Sequence, residues 1–196
     1  FQQVLQLGEG YPPCDLFART YNQMGTLFAY QGLYNESLEA NKKAAEQFIL
    51  QEKKNRTSYA LRDIARMYDV KKQRDSALHY YQKACQTAVS ANNPNRVNQI
   101  LGEMGCFLTH DSATRETGKQ ILRSLISQGK EYPNILSCLG SLYRHEQKWD
   151  SAYHFLNKMK TTSDIKRRHK AYQDLFLIES QKGNYTLANQ YSLQAN

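Results

Sequence analysis

Arg62 and Arg66 stand four residues apart, so on a helix their guanidinium groups point the same way. Two such forks side by side suit a carboxylate, because bidentate Arg–carboxylate hydrogen bonds are short and charge-assisted. That is binding chemistry. Asp63 and Asp69 offer a plainer outcome, in which the arginines are paired within the chain itself. The other chemistry-bearing types are scattered. There is no Gly-rich phosphate loop, no H-E-x-x-H and no Ser elbow. The histidines are His79, His110, His145, His154 and His169. Of these, His110 and His145 with Cys106 could share a metal only by converging across roughly 10 Å between helix layers. They read as solvated groove histidines, and neither a metal nor any other cofactor is expected. Cys14, Cys85, Cys106 and Cys138 form no C-x-x-C pair and read as small thiols on helices. The carboxylate pairs Asp63/Asp69 and Glu103/Asp111 sit among basic and polar neighbours, without the dry pocket that a tuned acid or base needs. The chain reads as a non-enzyme.

Composition says what must hold these residues. The 196 residues are 40% hydrophobic, with 14 Tyr, 7 Phe and 1 Trp, which excludes the disordered class. Ten Gly and four Pro are too little punctuation for a sandwich or barrel rich in tight turns. No apolar run reaches the length of a membrane span. Helices remain.

Those helices repeat. Aligning units that begin at Ala18, Ser58, Pro133 and His169 places Tyr21, Leu61, Leu136 and Tyr172 at position 4. Position 7 holds Met24, Ile64, Leu139 and Leu175, and position 8 holds Gly25, Ala65, Gly140 and Phe176. Position 11 is Phe28, Tyr68, Tyr143 and Glu179. Position 17 is mostly aromatic (Tyr34, Arg74, Trp149, Tyr185), and position 18 offers Asn35, Asp75, Asp150 and Thr186 as N-caps. Position 20 is always small: Ser37, Ala77, Ala152, Ala188. Apolar residues at 4, 7, 8 and 11 make one helical stripe, and two antiparallel helices approach closely where the facing residues are small. Gly25 should therefore meet Ser37, and Gly140 should meet Ala152. A fifth, weaker unit fits from Asn98, with Leu101, Met104, Gly105 and Leu108 on the stripe and Thr117 and Ile121 at positions 20 and 24.

This pattern resembles the tetratricopeptide repeat, and its longer units are similar to those of bacterial regulatory and sensory members. The resemblance implies an all-α, right-handed solenoid of about five helix-turn-helix hairpins over residues 16–196, starting near 18, 58, 98, 133 and 169. Residues 1–15 then read as the end of a preceding helix and a linker. The array looks cut at both ends, since it starts at Phe1 and its last helix is short. The resemblance also implies that first helices line a concave groove. Carried over by position, the groove takes Arg19, Asn22, Thr26 and Tyr30, then Tyr59, Arg62, Arg66 and Asp69. Further along it takes Asn134, Ser137, Ser141, Arg144 and His145, then Lys170, Gln173 and Leu177. The Lys and Asn of the chaperone-tail carboxylate clamp are absent, for those places hold Asn22, Thr26, Arg62 and Arg66.

The expected function is a protein- or peptide-binding scaffold or sensor module within a larger bacterial regulator. Arg19, Asn22, Tyr30, Tyr59, Arg62, Arg66, Arg144 and His145 would contact a ligand that is acidic or carries a free carboxylate. The net charge of +8 raises nucleic acid as a rival partner. Its excess cations, however, gather in EKKNR, VKKQR and IKRRHK, at helix ends where they complement the helix dipole. Self-association through the solenoid ends, giving a homodimer, is the other rival. The compartment stays open between an extracytoplasmic (periplasmic) sensor domain and the cytoplasm.

Overall fold

A computed structural model describes residues 14–195 of the chain. The expected preceding helix and linker, apart from Cys14 and Asp15, lies outside the described residues, as does Asn196. Ten α-helices in five consecutive pairs make up the described residues, with no strand among them. The pairs are α1 (Asp15–Tyr30) with α2 (Tyr34–Leu50), α3 (Lys54–Val70) with α4 (Arg74–Ser90), and α5 (Pro94–Thr109) with α6 (Arg115–Ser127). They continue as α7 (Pro133–His145) with α8 (Trp149–Lys160), and α9 (Ile165–Gln181) with α10 (Tyr185–Gln194). The weak third unit is thus a true hairpin. Among the described residues, no helix is long and apolar enough to cross a membrane.

One turn recurs. After seven of the helices the chain passes through a single left-handed residue: Gly32, Glu52, Lys72, Asn92, Gly129, Gln147 and Gly183, with φ between 51° and 77°. The next residue then donates its backbone N–H to a carbonyl five residues back, as Leu33 does to Phe28, Gln73 to Tyr68 and Lys148 to Tyr143, each at 2.9 Å. This is the Schellman closure, which satisfies carbonyls that a helix end leaves orphaned. It corrects the capping expectation. Helices α2, α4, α8 and α10 begin one residue earlier, at Tyr34, Arg74, Trp149 and Tyr185, and none has a side-chain cap. Asn35, Asp75, Asp150 and Thr186 sit just inside the helix instead. Asp75 and Asp150 there place negative charge in the first turn, where the helix dipole favours it. The position-17 aromatics are not uniform plugs either, because Tyr34 and Tyr185 are exposed.

Two compact units divide the chain at residue 101, within α5. In the first, α1 to α4 pack consecutively around an alanine-rich core that includes Ala44, Ala60, Ala65, Ala77, Ala84 and Ala88. Small side chains allow the close approach the sequence implied. The buried Ser37 hydroxyl donates to the Gly25 carbonyl at 2.7 Å. Asn41, at position 24, covers Gly25 so closely that a methyl group there would lie 2.5 Å from its Oδ1.

The second unit, from Gly102, uses larger residues, with Leu122, Ile135, Leu139, Leu156, Leu175 and Ile178 fully buried. Here Gly140 meets Leu156, one turn beyond the buried Ala152. The third hairpin needs a correction of register. Residues 110–114 make a longer link before α6, and the small residue against Gly105 is Gly118 rather than Thr117. Leu122, rather than Ile121, then covers Gly105 most closely. Aromatic stacking between positions 11 and 23 closes the two strong hairpins: Tyr68 on Tyr80 at 5.3 Å and Tyr143 on Phe155 at 5.7 Å. In the last hairpin Glu179 takes the aromatic's place, and its buried carboxylate accepts a hydrogen bond from the Tyr153 hydroxyl of α8. Burial first, and then that hydrogen bond to Glu179, raise the Tyr153 phenol well above its usual range.

Candidate functional site

First helices carry nearly all the candidate residues, and each unit presents its own set. On α3, Tyr59, Arg62 and Arg66 fall within two turns of one helix. Arg62 packs its guanidinium over the Tyr59 ring at 5.6 Å and donates to Asp63 Oδ1 from Nε (3.0 Å) and Nη2 (2.8 Å). Only 18% of its side chain is accessible. Arg66 reaches the same Asp63 oxygen at 3.8 Å but keeps 55% of its side chain in solvent. Asp63 thus takes up the charge of Arg62 and leaves Arg66 as the accessible cation of the pair. Tyr59 is 43% exposed, and on its ring lies the Arg96 guanidinium from the first turn of α5.

Arg96 is a contributor the sequence reading missed. With a unit start at Asn98 it fell before the helix, whereas α5 begins at Pro94. The available signal was Asn93, whose side chain caps α5 by accepting from the Arg96 N–H at 3.0 Å. Asn93 also donates to Asn55 Oδ1 at 2.9 Å, and Arg96 Nη1 donates to Gln99 Oε1 at 2.8 Å. The Arg96 side chain is therefore fixed on the aromatic face, a cation–π arrangement that pre-orders Tyr59.

On α1 the candidates separate. Arg19 is exposed, 4.0 Å from Asp15, and Tyr30 is 77% exposed. Asn22 turns inward, donating to Asn41 Oδ1 at 3.2 Å, while Asn41 in turn donates to Ser37 Oγ at 3.4 Å. Its role is a buried polar chain in place of an aromatic contact. The basic run around Lys53 is also partly neutralised. Asp15 accepts from Lys53 at 2.7 Å and lies 3.7 Å from Arg56, and the Lys53 hydrogen bond holds its carboxyl below the usual range.

In the second unit, Arg144 and His145 belong to a polar cluster built on Asp174, which is fully buried. Asp174 accepts from Ser141 Oγ at 2.6 Å, Arg144 Nε at 3.1 Å and Lys170 Nζ at 3.1 Å. Arg144 Nη2 lies 3.0 Å from His145 Nε2. Burial, and then the Arg144 charge, push the His145 imidazole below its usual value, so at neutral pH its Nε2 accepts from Arg144. Asp174 falls at position 6 of its unit, which the groove pattern does not cover. Arg144 is correspondingly only 12% accessible and serves mainly to join α7 to α9.

Among the described residues, no three His, Cys, Asp or Glu side chains come together to hold a metal. The first unit offers an accessible arginine, Arg66, on the same helix as the half-exposed Tyr59.

No curated protein matches the chain. Its fold is similar to that in the crystal structure of BtubC (BKLC) from P. vanneervenii, with a TM-score of 0.67. That likeness covers 99% of this chain and 84% of the other at 14% identity, and it shows an all-α helical-repeat solenoid. The tetratricopeptide repeat family matches residues 16–88, which hold α1 to α3 and most of α4. Proteins built from this repeat typically serve as non-catalytic scaffolds with protein partners. The paired helices, the small residues at their crossings and this match agree on one point: residues 16–88 are similar to the tetratricopeptide repeat family.

Proposed function

We propose that the chain is a peptide-binding scaffold module whose α3 face recognises an acidic segment or a free carboxylate. The observation that carries this reading is Arg66, 55% accessible, on the same helix as the half-exposed Tyr59 and braced by Asp63. A carboxylate of the ligand would pair with the Arg66 fork, and an apolar neighbour would rest on the ring that Arg96 and Arg62 hold in place. Little ordering cost falls on the scaffold, so affinity is not spent on folding it. Arg19 and Tyr30 of α1 would extend contact along the ligand. The module would belong to a larger regulatory protein, as its extended repeats suggest by resemblance.

A fluorescein-labelled hexaglutamate peptide tests the α3 face by anisotropy at low salt. Arg66→Glu should lower affinity at least about tenfold, the scale of an interface arginine. Helicity should stay unchanged, because Arg66 makes no buried contact. Arg62→Ala is a poorer probe, since it leaves Asp63 half-buried without its main partner. Equal binding by wild type and Arg66→Glu would overturn the assignment.

A further inference from the structure

Cys106 of α5 and Cys138 of α7 are far apart in sequence but come close in the second unit, where Thr109, one turn on from Cys106, lies with its hydroxyl 3.6 Å from Cys138 Sγ. The two helices are in close contact along this stretch. Cys106 Sγ lies 3.7 Å from the Asn134 carbonyl, and a methyl group on Gly102 would lie 3.0 Å from Ile135 Cδ1. Thr109 completes the cluster. Its hydroxyl lies 2.7 Å from the Cys106 carbonyl and 3.6 Å from Cys138 Sγ, so its single proton can serve either acceptor. Both cysteines are free, and both are only partly buried.

We propose that Cys106 and Cys138 form a redox-active dithiol site, oxidised to an intramolecular disulfide by low-molecular-weight disulfides of the glutathione type. Cys138 is the attacking sulfur. Hydrogen bonding by Cys106 and Thr109 favours its thiolate and holds its thiol below the usual range, while Cys106 is pushed up by its Cys138 neighbour and then by partial burial. In the first step the Cys138 thiolate attacks one sulfur of the small disulfide. A mixed disulfide forms, the small S–S bond breaks, and one small thiolate leaves. Cys106 then loses its proton to solvent, and its thiolate attacks the Cys138 sulfur. The protein S–S bond forms, the mixed bond breaks, and a second small thiolate leaves. Two cysteines are oxidised, one small disulfide is reduced to two thiols, and the two cysteine protons end on them. Rotation about the cysteine side chains brings the sulfurs to the ~2.05 Å of a disulfide. The product ties first helices of the third and fourth hairpins together.

The other two cysteines are internal references. Cys14 stands at the start of α1, and Cys85 lies in α4, where burial raises its thiol. The full 196-residue chain is incubated in glutathione buffers of graded potential, quenched by alkylation and mapped by mass spectrometry. The expected result is one cross-link joining the peptides of Cys106 and Cys138, with Cys14 and Cys85 still alkylated. Cys138 should also take up glutathione at least about tenfold faster than Cys85. Cys106→Ser should accumulate the mixed disulfide at Cys138, because the resolving thiol is gone. Circular dichroism of each serine variant confirms that it is folded. Failure of the 106–138 cross-link in oxidised glutathione would overturn the proposal, and so would equal reactivity of Cys138 and Cys85.

Discussion

Gly118 presses directly on a neighbouring backbone, and that makes alanine there a sharp test of how these hairpins close. A methyl group at Gly118 would lie 2.6 Å from the Gly105 carbonyl oxygen and 2.9 Å from both the Thr109 nitrogen and its Cγ2. A backbone carbonyl cannot rotate aside, so α5 and α6 must separate. Overpacking of this kind costs about 1–3 kcal/mol, and contact with main-chain atoms puts it near the upper end. Replacing glycine by alanine inside a helix returns about 1 kcal/mol. The net expectation is a loss of about 2 kcal/mol, a fall of about 1 M in urea midpoint for a domain of this size. Trp149 in α8, the chain's one tryptophan, reports unfolding of the second unit by fluorescence. Gly102→Ala is the control. Its methyl would approach Cδ1 and Cγ1 of Ile135, both at 3.0 Å, side-chain atoms that can give by a few tenths of an ångström, so the net loss should stay below about 1 kcal/mol. If Gly118→Ala unfolds at the same urea concentration as wild type, or a higher one, small residues are not what sets the helix spacing.

Two further outcomes follow from the polar clusters of the second unit. Asp174→Asn leaves Arg144 and Lys170 without their shared buried anion, and should lower stability by about 3 kcal/mol, read as an earlier Trp149 transition in urea. Around Lys119, the carboxyls of Glu116 and Glu146 lie below their ordinary value of 4.5. Hydrogen bonding to Lys119 lowers Glu116, and at Glu146 burial pushes the other way but Lys119 and Lys148 outweigh it. Because folding lowers these values, their stabilisation is complete above that ordinary value and is lost as pH falls through the folded ones. Thermal melts between about pH 5 and about pH 3 should therefore show a steeper loss in wild type than in Lys119→Met, and parallel curves would count against the cluster.

Most of the architecture could be read from residue types because helix packing depends on size at recurring positions. Gly25 and Ser37 imply the close crossing that the Ser37 hydrogen bond to the Gly25 carbonyl marks, whereas Gly140 meets Leu156 in place of the expected Ala152. Turn geometry was harder. The left-handed residue is glycine at positions 32, 129 and 183 but Glu52, Lys72, Asn92 and Gln147 elsewhere. No side-chain type marks that conformation, and the caps were accordingly placed one residue late. The third hairpin slipped by one position for a related reason, since its longer link changes the count without changing the stripe. The candidate site was legible in outline. Arg62 and Arg66 do share a face, but local pairing decides which is accessible, and Asp63 settles that through rotamers that spacing does not encode. Arg96 on Tyr59 and Asp174 under Arg144 join residues about 30 or more positions apart, and such contacts leave no periodic trace.

The recurring Schellman turn has a consequence for how such a chain can change. Each latch spends only three residues and draws its hydrogen bonds from the main chain, so it makes few demands on side chains. Cutting at one latch and rejoining at the equivalent place two helices later removes a whole hairpin while leaving identical chemistry at the splice. Length can thus be gained or lost in whole hairpins, whereas deletion of a single residue within a latch would break its αL geometry.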